Sequence, residues 1–149
     1  MTFLRPALRV LLVLLPVIGV ASCSKSSPSE ADLDTDRVRI VSIQPPMGTT
    51  LQAGSSLTVS ATLDYHLISA PSGTISIVFE DQNYAVIAST VSGPDASVAR
   101  GSGTVALSGQ IVVPASGVST VRVFFPLFST GSTSTQTLDD VYYRVSPGS

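Results

Sequence analysis

The stretch Leu57-Thr58-Val59-Ser60-Ala61-Thr62-Leu63-Asp64-Tyr65-His66 decides the fold. Leu57, Val59, Ala61, Leu63 and Tyr65 share one parity, and Thr58, Ser60, Thr62, Asp64 and His66 the other. Successive side chains of a strand point to opposite faces, so this period describes a strand with one buried and one wet face. Such faces belong to antiparallel sheets.

The same pattern recurs on both sides. Ile75, Ile77 and Phe79 alternate with Thr74, Ser76 and Glu80. Val105, Leu107, Ile111 and Val113 alternate across Gly109, followed by the inward sets Val121, Val123, Phe125, Leu127 and Val141, Tyr143, Val145. Tyr84 to Val91 is apolar on both faces. In Val38 to Ile43 the pairs Val38/Ile40 and Val41/Ile43 have opposite parity, which predicts a bulge or a change of sheet. Pro45-Pro46 then breaks pairing before a short piece around Thr50-Leu51. No helical period follows the first twenty residues. Residues 37–149 are long enough for one core. They are expected to form an all-β antiparallel sandwich of about seven strands.

The run Ile43-Gln44-Pro45-Pro46-Met47-Gly48-Thr49-Thr50-Leu51-Gln52-Ala53-Gly54, followed by Leu57-Thr58-Val59-Ser60-Ala61, resembles bacterial immunoglobulin-like surface domains. The resemblance implies a strand, a Pro-x-x-Gly turn, a short strand, a Gly turn and a long alternating strand. With one cysteine and no tryptophan, the chain lacks the disulfide and core Trp of antibody domains. A shared sandwich transfers no activity.

The N-terminal segment speaks to location. Arg5 and Arg9 precede an apolar run, Val10 to Val20, with no acidic residue before Glu30. The run is short of the roughly 20 residues a spanning helix needs and suits a signal peptide. It ends in Val20-Ala21-Ser22-Cys23, which resembles the lipobox of bacterial lipoproteins. That resemblance implies a signal peptide over 1–22, cleavage between Ser22 and Cys23, and acylation of Cys23 through a thioether and its amine. A lone thiol in an oxidising compartment would otherwise be exposed to oxidation. Several acyl chains hold far more firmly than one. Ser24, rather than Asp, follows the cysteine, which in Gram-negative members of the family implies the outer membrane. Residues 23–36 are rich in Ser and acid and read as a flexible tether. Asp32, Asp34 and Asp36 open like a calcium loop, but Arg37 and Ile43 stand where Gly and Glu are needed. They read as solvated linker charges.

Charge and composition exclude several functions. Loss of Arg5 and Arg9 from 8 basic residues leaves 6 against 10 acidic ones, a mature net charge near −4 with no basic patch for nucleic acid. One His and one Cys make a zinc site unexpected. A Ser–His–acid triad would have to use His66, which reads as a surface residue, and no G-x-S-x-G elbow is present. Glu80-Asp81-Gln82-Asn83 reads as a hairpin turn. Asp139-Asp140 reads as a solvated strand entry, and Gly101-Ser102-Gly103 as a loop. No cofactor or metal is expected, and no enzymatic activity.

One surface stands out. Arg122, Phe124, Pro126 and Phe128 share the outward parity of one strand, and Asp140, Tyr142 and Arg144 that of the next. Val78 and Glu80 face outward on a third strand, which neighbours these two in an immunoglobulin-like sandwich. Phe, Tyr and Arg are enriched in protein-binding hot spots. Arg122, Phe124, Phe128, Tyr142 and Arg144 are therefore the candidate partner surface, though cross-strand aromatic packing would give the same composition. The functional expectation is a lipid-anchored, non-enzymatic envelope module that binds a protein or supports structure. Carbohydrate binding at the cell surface is the alternative, weakened by the absence of Trp.

Overall fold

Alternation turns into pairing along the whole domain. The computed structural model describes residues 35–148 apart from Ser89 and Pro94, with the backbone alone of Val91 and Ser92. Ser22, Cys23 and most of the tether lie outside the described residues. The strands are β1 (Arg37–Gln44), β2 (Thr50–Gln52), β3 (Ser56–Ile75), β4 (Val78–Glu80), β5 (Val91–Ser92), β6 (Ala96–Val112), β7 (Thr120–Ser129) and β8 (Thr137–Ser146).

They build an all-β sandwich. In one layer β1 pairs with β3, β3 with β6, and β6 with β5. In the other, β2 pairs with β8, β8 with β7, and β7 with β4. All pairs are antiparallel except β2–β8. The layers are also joined. Gly73–Ile75, at the end of β3, pair with β7 while still pairing with β6. Thus β3 begins in one layer and ends bonded to the other.

The core lies between the layers. Leu57, Val59, Ala61 and Leu63 are buried from one side, as are Val121, Val123, Phe125, Leu127, Val141 and Tyr143 from the other. The predicted parity change in β1 is a register shift between Ile40 and Ser42 that leaves Val41 exposed. Tyr143 is fully buried, and its hydroxyl donates to the Pro45 carbonyl at 2.6 Å. That bond satisfies a buried polar group and ties the break between β1 and β2 to the core. Burial holds the Tyr143 pKa above its ordinary value. At Gly109 the core approaches closely, and a Cβ there would stand 2.8 Å from Phe79.

Several expectations need correction. The set Ile75, Ile77 and Phe79 is not one separate strand: Ile75 ends β3, Ser76 and Ile77 lie outside the strands, and Phe79 belongs to β4. The chain from Ser56 to Ile75 is one strand with an irregularity between Leu67 and Ser72. Gly101-Ser102-Gly103 is not a loop but part of β6, opposite Leu67, His66 and Tyr65. Gly101 has φ 114°, a conformation that only glycine adopts readily. Tyr84 to Val91 is no continuous strand: Tyr84 and Val86 face water while Ile87 is buried. Pro126 has the outward parity but is buried.

Asp36 is not a solvated linker charge either. Its Oδ1 accepts N–H bonds from Ile68 at 2.7 Å and Ser69 at 3.0 Å, and its Oδ2 accepts the Ser69 hydroxyl. These donors belong to the irregular part of β3, where the ladder to β6 is interrupted, and a carboxylate 32 residues earlier in the chain supplies what the sheet does not. Burial opposes the charge of Asp36, but the bonds from Ser69 and Ile68 outweigh it and lower the pKa.

Two predictions follow from this packing. Leu63→Ala should cost about 2–4 kcal/mol in urea melts, and Thr58→Ala, facing water, about 0.5 or less. The reverse order would mean the register is off by one residue. Asp36→Asn should reduce stability at neutral pH. A folded-state pKa below the unfolded value of about 3.9 gives stability that is full above that value and lost as pH falls through the folded pKa. The variant's acid melting curve should therefore converge on the wild-type curve at low pH, and a constant gap would contradict the assignment.

Candidate functional site

Register and turn chemistry bring four elements together at one place on the outer face of the second layer. On β7, Arg122 lies opposite Tyr142 of β8 and Glu80 of β4. Phe124 lies opposite Val78 and Asp140. The fourth contribution comes from the turn after β4. The Asp81 carboxylate accepts N–H bonds from Asn83 at 2.7 Å and Ala85 at 3.0 Å, and the Tyr84 N–H donates to the Asp81 carbonyl at 3.1 Å. This is an Asx-type turn, as the sequence predicts. Gln82 fastens it to the next loop by donating to the Gly117 carbonyl and accepting from Ser119 N–H. The turn places Tyr84 at φ 64°, a left-handed conformation for a bulky side chain, and leaves it 65% exposed.

Arg122 is the centre of the cluster. Its guanidinium lies 4.6 Å from the Phe124 ring centroid, 5.4 Å from Tyr84 and 5.9 Å from Tyr142, all within cation–π range. Nη1 donates to Glu80 Oε2 at 3.0 Å, and Nε to Asp140 Oδ2 at 2.8 Å. The Tyr142 hydroxyl donates to the same Asp140 oxygen at 3.1 Å. Side-chain exposure is only 14% for Arg122, 13% for Glu80 and 27% for Asp140. Burial disfavours the cation, but the bonds to Asp140 and Glu80 outweigh it and raise the Arg122 pKa. For Tyr142, desolvation and then the bond to Asp140 raise the pKa.

The candidate surface is thus divided. Arg122, Phe124 and Tyr142 meet. Phe128 does not join them: it is partly buried opposite Thr74, six residues along β7 from Arg122 and so about 20 Å away at ~3.3 Å per residue. Arg144 is exposed beyond Tyr142, opposite Thr120 and Thr50. Glu80 is not only a turn residue, and Asp140 is not a solvated strand entry, since both hold Arg122. Asp139 likewise is bonded, accepting the Ile40 N–H at 2.7 Å. Tyr84 was missed, because the alternation rule has no meaning in a turn. The signal that points to it is the Asp81-Gln82-Asn83 turn, which must send the next side chain outward.

The other outer face is chemically plain. His66 Nδ1 lies 2.7 Å from Ser102 Oγ, a contact across β3 and β6. Both stand in register on the β3–β6 ladder, His66 opposite Ser102. Nearby, Ser42, Gln44, Ser60, Thr62 and Ser108 line an open concavity without ionisable groups. Among the described residues no group of three or more His, Cys, Asp or Glu is placed to hold a metal ion, and no helix is long and apolar enough to cross a membrane. No protein-family model matches the chain, and no curated protein is similar to it at a significant level.

Arg122→Ala should cost about 1–3 kcal/mol, because it leaves two largely buried carboxylates facing each other without their cation. Tyr142→Phe removes one bond at an exposed ring and should cost about 0.5 kcal/mol or less. Chemical denaturation of both variants checks the order. Equal costs would mean that Arg122 does not organise the cluster.

Proposed function

We propose that this chain is a lipid-anchored cell-envelope protein whose immunoglobulin-like sandwich acts as a non-enzymatic protein-binding module. One observation carries the binding reading. Tyr84 and Tyr142 expose 65% and 51% of their surface, yet both rings are braced on a partly buried guanidinium. Exposed aromatics contribute little to folding, and rigid ones lose little entropy when a partner covers them. Tyr84 is also held in a backbone conformation that costs free energy, the kind of strain that accumulates at functional positions. Support for the immunoglobulin-like reading comes from the divided first strand. β1 pairs with β3 in one layer and β2 runs parallel to β8 in the other. Anchoring through Cys23 rests on the lipobox-like Val20-Ala21-Ser22-Cys23 and the basic, apolar segment before it.

Two measurements test the two halves of this reading. Cys23→Ser should abolish incorporation of an acyl probe while leaving the domain folded, and undiminished labelling would overturn the anchor. A photo-crosslinking phenylalanine at position 142, in intact cells, should capture an envelope protein that the same probe at Thr58 does not. Capture of glycan alone would move the face to the carbohydrate class.

A further inference from the structure

The Arg122 cluster is short of one positive charge. Two carboxylates, Glu80 and Asp140, share a single guanidinium at low exposure. Arg122 binds one oxygen of each, Glu80 Oε2 and Asp140 Oδ2. The second oxygens are not used by Arg122. Arg144 does not fill the deficit, since it stands four residues along β8 from Asp140, about 13 Å at ~3.3 Å per residue. Asp81, in the adjoining turn, adds acid, not base. Around these carboxylates, Tyr84 and Tyr142 are exposed to solvent, and the face of an aromatic ring is its negative side. Arg122 already lies over the same rings. The excess negative charge and the exposed rings therefore agree on what should come from outside.

We infer that the Tyr84–Tyr142 face takes a cationic side chain, a lysine or arginine borne by an extended segment of an envelope protein, with its charge met by the unshared oxygens of Glu80 and Asp140. The inference rests on the protein-binding reading above and names the chemistry of the partner. The aliphatic stem of such a side chain would lie on the tyrosine rings while its head reaches the carboxylates. A neutral or acidic segment would cover the rings but leave the excess carboxylate desolvated, which costs free energy. Specificity therefore comes from charge, and the association should weaken as salt rises.

The protein reports on its own site. It has no tryptophan and four tyrosines, Tyr65, Tyr84, Tyr142 and Tyr143, of which only two face outward at the cluster. The full lipidated chain in detergent, with carbon-13-labelled tyrosine, is titrated with a capped peptide of alternating Gly and Arg. The Tyr84 and Tyr142 ring resonances should shift and saturate, and those of Tyr65 and Tyr143 should stay in place. Citrulline in place of arginine should remove the effect. Glu80→Gln should weaken binding about tenfold, with unmoved Tyr65 and Tyr143 resonances reporting an intact fold. Equal shifts with the citrulline peptide, shifts only with a neutral oligosaccharide, or no shifts at all would each overturn the cationic partner. In that event, crosslinking at position 142 in cells separates the two ideas. A captured protein keeps the binding module and discards the charge rule, and no capture discards both.

Discussion

The ladder between β3 and β6 is the constraint on which the other strands depend. Sixteen residues of each strand are fixed against the other, from Ser56↔Val112 at one end to Ile75↔Ala96 at the other. The ladder spans both layers, so the inward side chains of its two halves must face the same core. A strict period of two cannot guarantee that around a corner. Through the irregularity between Leu67 and Ser72 the inward phase departs and returns. Leu67 is buried at odd parity, Ala70 at even, and Gly73 and Ile75 at odd again. Gly101, on the partner strand, allows the matching backbone change. β1, β5 and β7 then add to edges that this ladder has already oriented.

That dependence explains what can be read from the residues alone. Burial dominates inside regular strands, so the inward sets of β3, β7 and β8 follow from alternation. The shift in β1 is legible too, because Val41 breaks the parity of Val38 and Ile40 within a few residues. Continuity through residues 67–72 is not. Pro71 looks like a terminator, yet it sits where the ladder is already interrupted and needs no N–H. The first half of β6 is hidden for another reason. Ala96 to Gly103 is small and polar, buries little besides Val98, and is a strand because β3 offers partners for it. β-propensity reflects such context more than the residue itself.

The same distinction applies to the Arg122 cluster. Outward parity on neighbouring strands is local information, and it places Arg122, Phe124 and Tyr142 on one face. Which residues touch depends on register, and register is set by pairs far apart in the chain. Phe128 shares the parity but lies too far along β7. Glu80 joins through its pairing with Arg122 across β4 and β7, and Tyr84 enters because the turn after β4 folds back across the face. The cluster combines an ion pair of three charges with aromatic packing, so the cross-strand explanation and the binding explanation are not exclusive. The rings of Tyr84 and Tyr142 pack on Arg122 and still expose 65% and 51% of their residues' surface.

Asp36 gives the domain a mechanical property. It immediately precedes β1, so tension that arrives along the chain from the N-terminal side reaches it before the first strand. Its three bonds run to Ile68 and Ser69, in the corner of β3, and not to the neighbouring strand edge. A pull would therefore load the corner, backed by the full β3–β6 ladder, before it could peel β1 from Arg37 onward. The Tyr84–Tyr142 face lies towards the other end of β7 and β8, where Arg122 pairs with Tyr142, away from the corner that Asp36 holds.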